Sequence, residues 1–298
     1  MMLFVTSLRS RANATDYANV ELLLQGALDS IENQSSGEHV TIVVGNEDPS
    51  FELPPNVHFV KVGFPAPTRS TGPHAELSEF VRDKGSKLGI GLIAGRQFAP
   101  SHVMIFDSDD FIHRDLVRLV HAHPDAPGWV VEHGWVFSRR RNGYRRQDDF
   151  NRTCGTCFVL PYDVYDVPAH LDEHASQDDV VDAFGERLTR IIGAHRDAIF
   201  WYTEHGHALR TVPFRAVAYH VDTGENHSGK VLPGAIRPWD ARLGRDFAIR
   251  SQAPRLRTLL SCYGPRALAQ TARARARRAR TWVAGLARRT PSGAGGSG

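Results

Sequence analysis

The chain has 298 residues, 41% of them hydrophobic and 23% charged, with a formal net charge of +3. Its length suits one large α/β domain or two small ones, and its composition is that of a globular protein rather than a disordered or fibrous one. No stretch approaches the 18 consecutive apolar residues of a spanning helix, and three cysteines are too few for a disulfide framework.

Residues 1–6 are apolar but short and lack a basic flank, so they predict a first strand rather than a signal peptide, and cytoplasmic residence is the default expectation. Residues 16–33 carry Val20, Leu23, Leu24, Ala27, Leu28 and Ile31 at helical spacing behind Asp16. Residues 39–45 (HVTIVVG) read as a buried strand closed by the turn cluster Asn46-Glu47-Asp48-Pro49, and residues 57–62 as a third strand. Residues 65–73 are loop-like and 74–97 return to helix. The next apolar run, Val103-Met104-Ile105-Phe106, ends abruptly in Asp107-Ser108-Asp109-Asp110. The run reads as a parallel strand, whose carboxyl end is where open α/β sheets place ligands. If strand geometry continued, Asp107 and Asp109 would project from one side as hard oxygen ligands suited to Mg²⁺ or Mn²⁺. The competing reading is an acidic turn in which Asp110 caps a helix over residues 112–123.

Strand–helix alternation up to this point argues for a parallel α/β sheet, and it breaks after about residue 128. Residues 129–131 and 135–137 predict strands, 139–150 a polar hairpin or flexible loop, 157–160 a strand, 178–195 a helix and 209–221 one long strand. Cys154-Gly155-Thr156-Cys157 precedes a strand rather than a helix and has no second Cys/His pair, so small residues lining a pocket wall are favoured over redox or zinc chemistry. Residues 254–298 hold ten arginines and no acid, leaving residues 1–253 with 26 basic against 33 acidic residues, a balance of −7. An acidic body, residues 1–253, therefore carries a cationic tail. Ala272, Ala276, Ala279, Val283 and Leu286 make a thin apolar stripe in that tail, which predicts docking on an anionic membrane surface, with nucleic-acid binding and a solubilising tail as the rivals.

Phe4-Val5-Thr6-Ser7, the helix over residues 22–34, Gly85-Ser86-Lys87-Leu88-Gly89-Ile90-Gly91 and the acidic strand end at 103–112 together resemble a GT-A fold glycosyltransferase of the family 2 type. Leu8-Arg9-Ser10 and Asn46-Glu47-Asp48 depart from that family's pattern after the first two strands. The resemblance implies a GT-A (Rossmann-like, nucleotide-diphospho-sugar transferase) α/β fold with a mixed central sheet, a nucleotide-binding half at 1–125 and an acceptor-side half at 126–253. It implies a metal-dependent, inverting transfer of a sugar from a nucleotide donor, UDP-sugar favoured, to a glycan or lipid-linked acceptor in cell-surface polysaccharide synthesis. Mn²⁺ or Mg²⁺ would sit on Asp107, Asp109 and a distal ligand, His227 before His220. Thr6, Glu47, Lys84, Lys87 and Asp107 would line the nucleotide. Asp179 or Asp178 would be the acceptor base, with Glu173 and His195 behind them, and Gly155-Thr156, Trp135 and residues 139–146 would border the acceptor. The alternatives are a nucleotidyltransferase, which would want a Gly-rich phosphate loop after the first strand that Thr6-Ser7-Leu8-Arg9 does not supply, and a non-catalytic docking protein.

Overall fold

The computed structural model describes residues 1–67, 76–225, 229–274 and 276, with side chains from residue 79 onward in the second segment. Two mixed sheets, one of seven strands and one of five, organise it. Residues 2–45 follow the apolar pattern: β1 (Met2–Ser7) is buried almost throughout, α1 (Tyr17–Glu32) buries Val20, Leu23, Leu24, Ala27, Leu28 and Ile31, and β2 (His39–Gly45) is wholly buried. Asp16 caps α1 by accepting a bond from the Asn19 amide. After β3 (Val57–Lys61) comes α2 (Glu76–Gly95), then β4 (His102–Ile105). β1 to β4 are parallel, in the order β3-β2-β1-β4. The chain leaves β1 towards β2 and β3 and later returns to β1's other side. The carboxyl ends of β1 and β4 therefore flank a topological switch point, the crevice where such sheets bind ligands. α2 crosses close over β1, since a Cβ on Gly91 would stand 2.4 Å from Val5 Cγ1.

The remaining elements are β5 (Phe111–Ile112), α3 (Leu116–His121), β6 (Trp129–Val130), β7 (His133–Ser138), β8 (Gly143–Asp148), β9 (Phe158–Pro161), α4 (Gln177–Phe184), α5 (Ala198–Glu204), β10 (Arg210–Thr211), β11 (Val217–Val221), β12 (Arg237–Pro238), α6 (Ala241–Phe247) and α7 (Arg255–Tyr263). The seven-stranded sheet runs β10-β6-β9-β4-β1-β2-β3, with β9 antiparallel between β4 and β6, and the second runs β12-β8-β7-β11-β5. Segments from both sides of residue 125 contribute to both sheets. Residues 139–150 are largely the β7–β8 hairpin.

Three elements differ from the sequence expectation. The helix over 112–123 is only Leu116–His121, because Phe111 and Ile112 pair with Ala218 and Val217 in the second sheet. The helix over 178–195 ends at Phe184, where Gly185 takes φ +55°, and a π-helical turn, Leu188–Ile192, follows. The long strand at 209–221 is two strands in two sheets, with Pro213 between them, a residue that cannot donate to a ladder. No described helix is long and apolar enough to cross a membrane. Most of the apolar stripe expected in the tail, from residue 277 on, and His227 lie outside the described residues.

Candidate functional site

The acidic segment closes a turn. β4 stops at Ile105, and the Asp110 amide donates to the Asp107 carbonyl at 3.0 Å. The two-residue alternation that would align Asp107 with Asp109 therefore does not reach them. A turn brings its first and fourth residues together. Asp107, Asp110 and Cys154 offer ligand atoms all within 4.8 Å of one another, and Asp109 is outside that group.

Asp110 is fully buried and holds three segments together. Its Oδ2 accepts from Thr156 Oγ1 at 2.6 Å and Cys154 Sγ at 3.0 Å, and its Oδ1 accepts from the His220 amide at 3.0 Å. It is not a helix N-cap; Asp115 precedes α3. Burial and the Asp107 charge push its pKa up to about 7 despite those donors. Burial, Asp110 and Asp107 likewise hold Asp109 well above the carboxylate range. Lys84 reaches in from α2 and donates to Asp107 Oδ1 at 2.5 Å. Burial works against its charge, but Asp107 outweighs this and the Lys84 pKa is raised.

Three carboxylates facing one ammonium suit a divalent cation, which would relieve their mutual repulsion. Burial, with Asp110 and Asp107 nearby, keeps the Cys154 thiol protonated, its pKa far above the ordinary value. The donor set is thus carboxylate oxygen, fitting Mg²⁺ or Mn²⁺ better than a thiolate-seeking metal. Cys157 is also a buried free thiol.

Gly155 lies between Asp107 and a residue from the far side of the π-helical turn. A Cβ there would stand 3.1 Å from Asp107 Oδ2 and 3.2 Å from His195 Nδ1. Lys84, Asp107, Gly155 and His195 border a void of about 20 Å³, room for a water-sized group. Burial lowers the His195 pKa against the pull of Asp107, which favours the neutral imidazole.

Other expected site residues lie elsewhere. Thr6 is buried in β1 and its Oγ1 has no hydrogen-bond partner among the described residues. Glu47, just past β2, accepts from the Arg11 amide at 3.3 Å. Lys87 is 1% exposed and pairs with Asp83 at 2.9 Å, one helical turn away. Asp179 completes a capping box with Ser176 at the start of α4, and Asp178 pairs with Arg82. Arg82 and Lys84, two apart on α2, point to different sides of that helix. Neither Asp178 nor Asp179 borders the Asp107 void. Glu173 is half-buried in the segment before α4. The His220 ring packs at a tilt 5.2 Å from Phe111 and 5.4 Å from Phe137, where burial and Arg139 lower its pKa to about 3. Its amide bonds Asp110, and the Asp109 backbone acts on its ring against that downward shift. Trp135 is core, covered by Arg215.

Sequence reasoning gives no signal for Glu225, which draws the segment after β11 back to the loop after β1. It pairs with Arg9 at 2.9 Å and accepts from the Thr15 and Asp16 amides at 3.0 and 2.8 Å, while Asn19 Nδ2 holds the Thr223 carbonyl at 2.8 Å. Replacing buried Glu225 with Ala strands a guanidinium and two amides. Chemical denaturation is expected to show a loss of about 3 kcal/mol, and Glu225→Gln to recover part of it.

No family model matches the chain, and no curated protein matches it. Among solved structures it is similar to S. aureus TarS 1-349, with 14% identity and a TM-score of 0.34 over 61% of this chain and 55% of that one. A second similarity is to Rv0371c from Mycobacterium tuberculosis H37Rv, with 13% identity and a TM-score of 0.27 over 74% and 88% of the two chains. The chain spans about half of the TarS structure, and likenesses at these scores bear on neither the site nor its chemistry.

Proposed function

We propose that this protein is a divalent-metal-dependent glycosyltransferase of the GT-A type, moving a sugar from a nucleotide-sugar donor to a glycan or lipid-linked acceptor with inversion. One observation carries the reading: the Asp107 and Asp110 carboxylates and Lys84 converge, with Asp109 beside them, at the carboxyl ends of β1 and β4, at the switch point of a parallel sheet. A cation held by Asp107 with Asp109 or Asp110 would neutralise the diphosphate as the glycosidic bond breaks. Lys84, which pairs with Asp107, would supply a further positive charge to the phosphates. Asp110 fixes the turn against β9's approach and β11 through Thr156, Cys154 and the His220 amide. The proton acceptor is drawn from Asp178, Asp179 and His195. His195 has the better position, since it lines the same void as Asp107 while Asp179 serves a helix cap and Asp178 is paired with Arg82.

Thermal-shift measurements with a panel of nucleotide sugars, with and without Mn²⁺, test the reading. A donor at about 100 times its Kd adds roughly 2.7 kcal/mol of stability. A rise in Tm with one nucleotide class, dependent on Mn²⁺ and reversed by chelator, is expected. If no nucleotide sugar moves Tm under either condition, the reading falls.

A further inference from the structure

The last described helices carry their apolar residues on the outside. α7 turns Thr258 and Cys262 into the body and leaves Leu256, Leu259, Leu260 and Tyr263 at 71%, 37%, 62% and 47% exposure. Those four recur at i, i+3, i+4 and i+7 and share one face. The helical residues 265–274 continue the pattern, burying Ala267 and exposing Leu268 at 54%. An ordinary surface helix points such residues inward.

The outward orientation is built in. Asn142 Nδ2 donates to Thr258 Oγ1 at 2.8 Å, and the Cys262 thiol donates to the Arg141 carbonyl at 3.7 Å. Gly143 makes room for the contact, because a Cβ there would lie 2.6 Å from Cys262 Sγ. Arg141 also bridges the Leu232 and Ser261 carbonyls, tying α7 to a segment whose Val231 is 58% exposed. Rotating α7 to bury its leucines would break each of these contacts.

Charge identifies the occupant. Arg255 and Arg257 flank the apolar face, Arg266 and Arg273 follow on the next helical segment, and residues 254–298 contain no acid. A second copy would set like-charged arginines against each other, which disfavours self-pairing. A nucleic acid would satisfy the arginines and leave the leucines in water. An anionic bilayer satisfies both, with the apolar side chains below the headgroups and the long arginine stems reaching up to the phosphates.

We propose that the face formed by Leu256, Leu259, Leu260, Tyr263 and Leu268 with its flanking arginines docks the protein on the surface of an anionic lipid bilayer. The proposal stands independently of the glycosyl-transfer reading. The test is co-sedimentation of the full chain with phosphatidylcholine vesicles, with and without phosphatidylglycerol. Binding is expected only with phosphatidylglycerol, weakened by salt. The triple variant Leu256→Ser, Leu260→Ser, Tyr263→Ser is expected to bind on the order of tenfold more weakly at unchanged Tm, since all three side chains are exposed. In a separate variant, Tyr263→Trp, the added indole's emission should shift to the blue on adding anionic vesicles. No sedimentation with anionic vesicles, equal binding by the triple variant, or an unshifted emission from the Tyr263→Trp variant would each overturn the proposal. So would a concentration-dependent dimer that the triple variant dissolves, or retention on nucleic acid that leaves no vesicle binding.

Discussion

Asp109→Asn is expected to lower sugar-nucleotide turnover by about 10³-fold while raising the thermal midpoint by about 1–3 °C. The two signs have one cause. Asp109 sits beside Asp110 and Asp107 in a half-buried turn, and burial and those two charges hold its carboxyl well above the usual range. Among the attractions offsetting that repulsion is the charge of Lys84. An amide of the same shape removes the repulsion and keeps the packing, so the folded state gains. It also removes a hard oxygen where the proposed diphosphate–cation pair forms, so turnover loses. Strain held at a functional site and relieved at the expense of activity is the expected signature of such a cluster. Added Mn²⁺ should raise the wild-type midpoint more than that of the variant. A variant that turns over normally, or one whose midpoint falls, would remove Asp109 from the site.

The sequence makes the location of this cluster legible but not its internal geometry. Val103 to Phe106 reads as a buried strand because all four residues are apolar and the carboxylates mark its end. The switch point follows from strand–helix alternation. The pairing of Asp107 with Asp110 does not, because it depends on where strand geometry stops, and β4 stops at Ile105. Asp110's partners lie 44, 46 and 110 residues away, at Cys154, Thr156 and His220, separations that no periodicity records. His195 comes to the void beside Asp107 from beyond a π-helical turn, which carries no pattern distinct from a helix. Phe111 and Ile112 illustrate the same limit in the fold: two apolar residues fit a helix start or a short strand, and pairing with β11 decides between them. The outward leucines of α7 follow a helical period perfectly well. Which face meets the body is set by Asn142 and Gly143, more than a hundred residues earlier, and the stripe expected from the sequence lies further on, at Ala272 to Leu286.

Lys87 separates a structural lysine from a phosphate-binding one. It is 1% exposed, its Nζ lies 2.9 Å from Asp83 Oδ2 and 3.5 Å from the Leu8 carbonyl, and burial raises the Asp83 pKa against the pull of Lys87. Lys87→Met alone leaves that carboxylate buried without a counter-charge and is expected to cost about 3–5 kcal/mol by urea denaturation. Removing both charges, in Lys87→Met with Asp83→Asn, is expected to return most of that loss, because the penalty belongs to the stranded partner rather than to the missing lysine. The double variant then reports on function separately from stability. Lys84, not Lys87, is the ammonium that touches Asp107, so donor affinity of the folded double variant should match that of the wild type, whereas Lys84→Met should weaken it. Donor affinity lost in the double variant at restored stability would assign Lys87 to the phosphates and would require its ammonium to leave Asp83 when the nucleotide arrives.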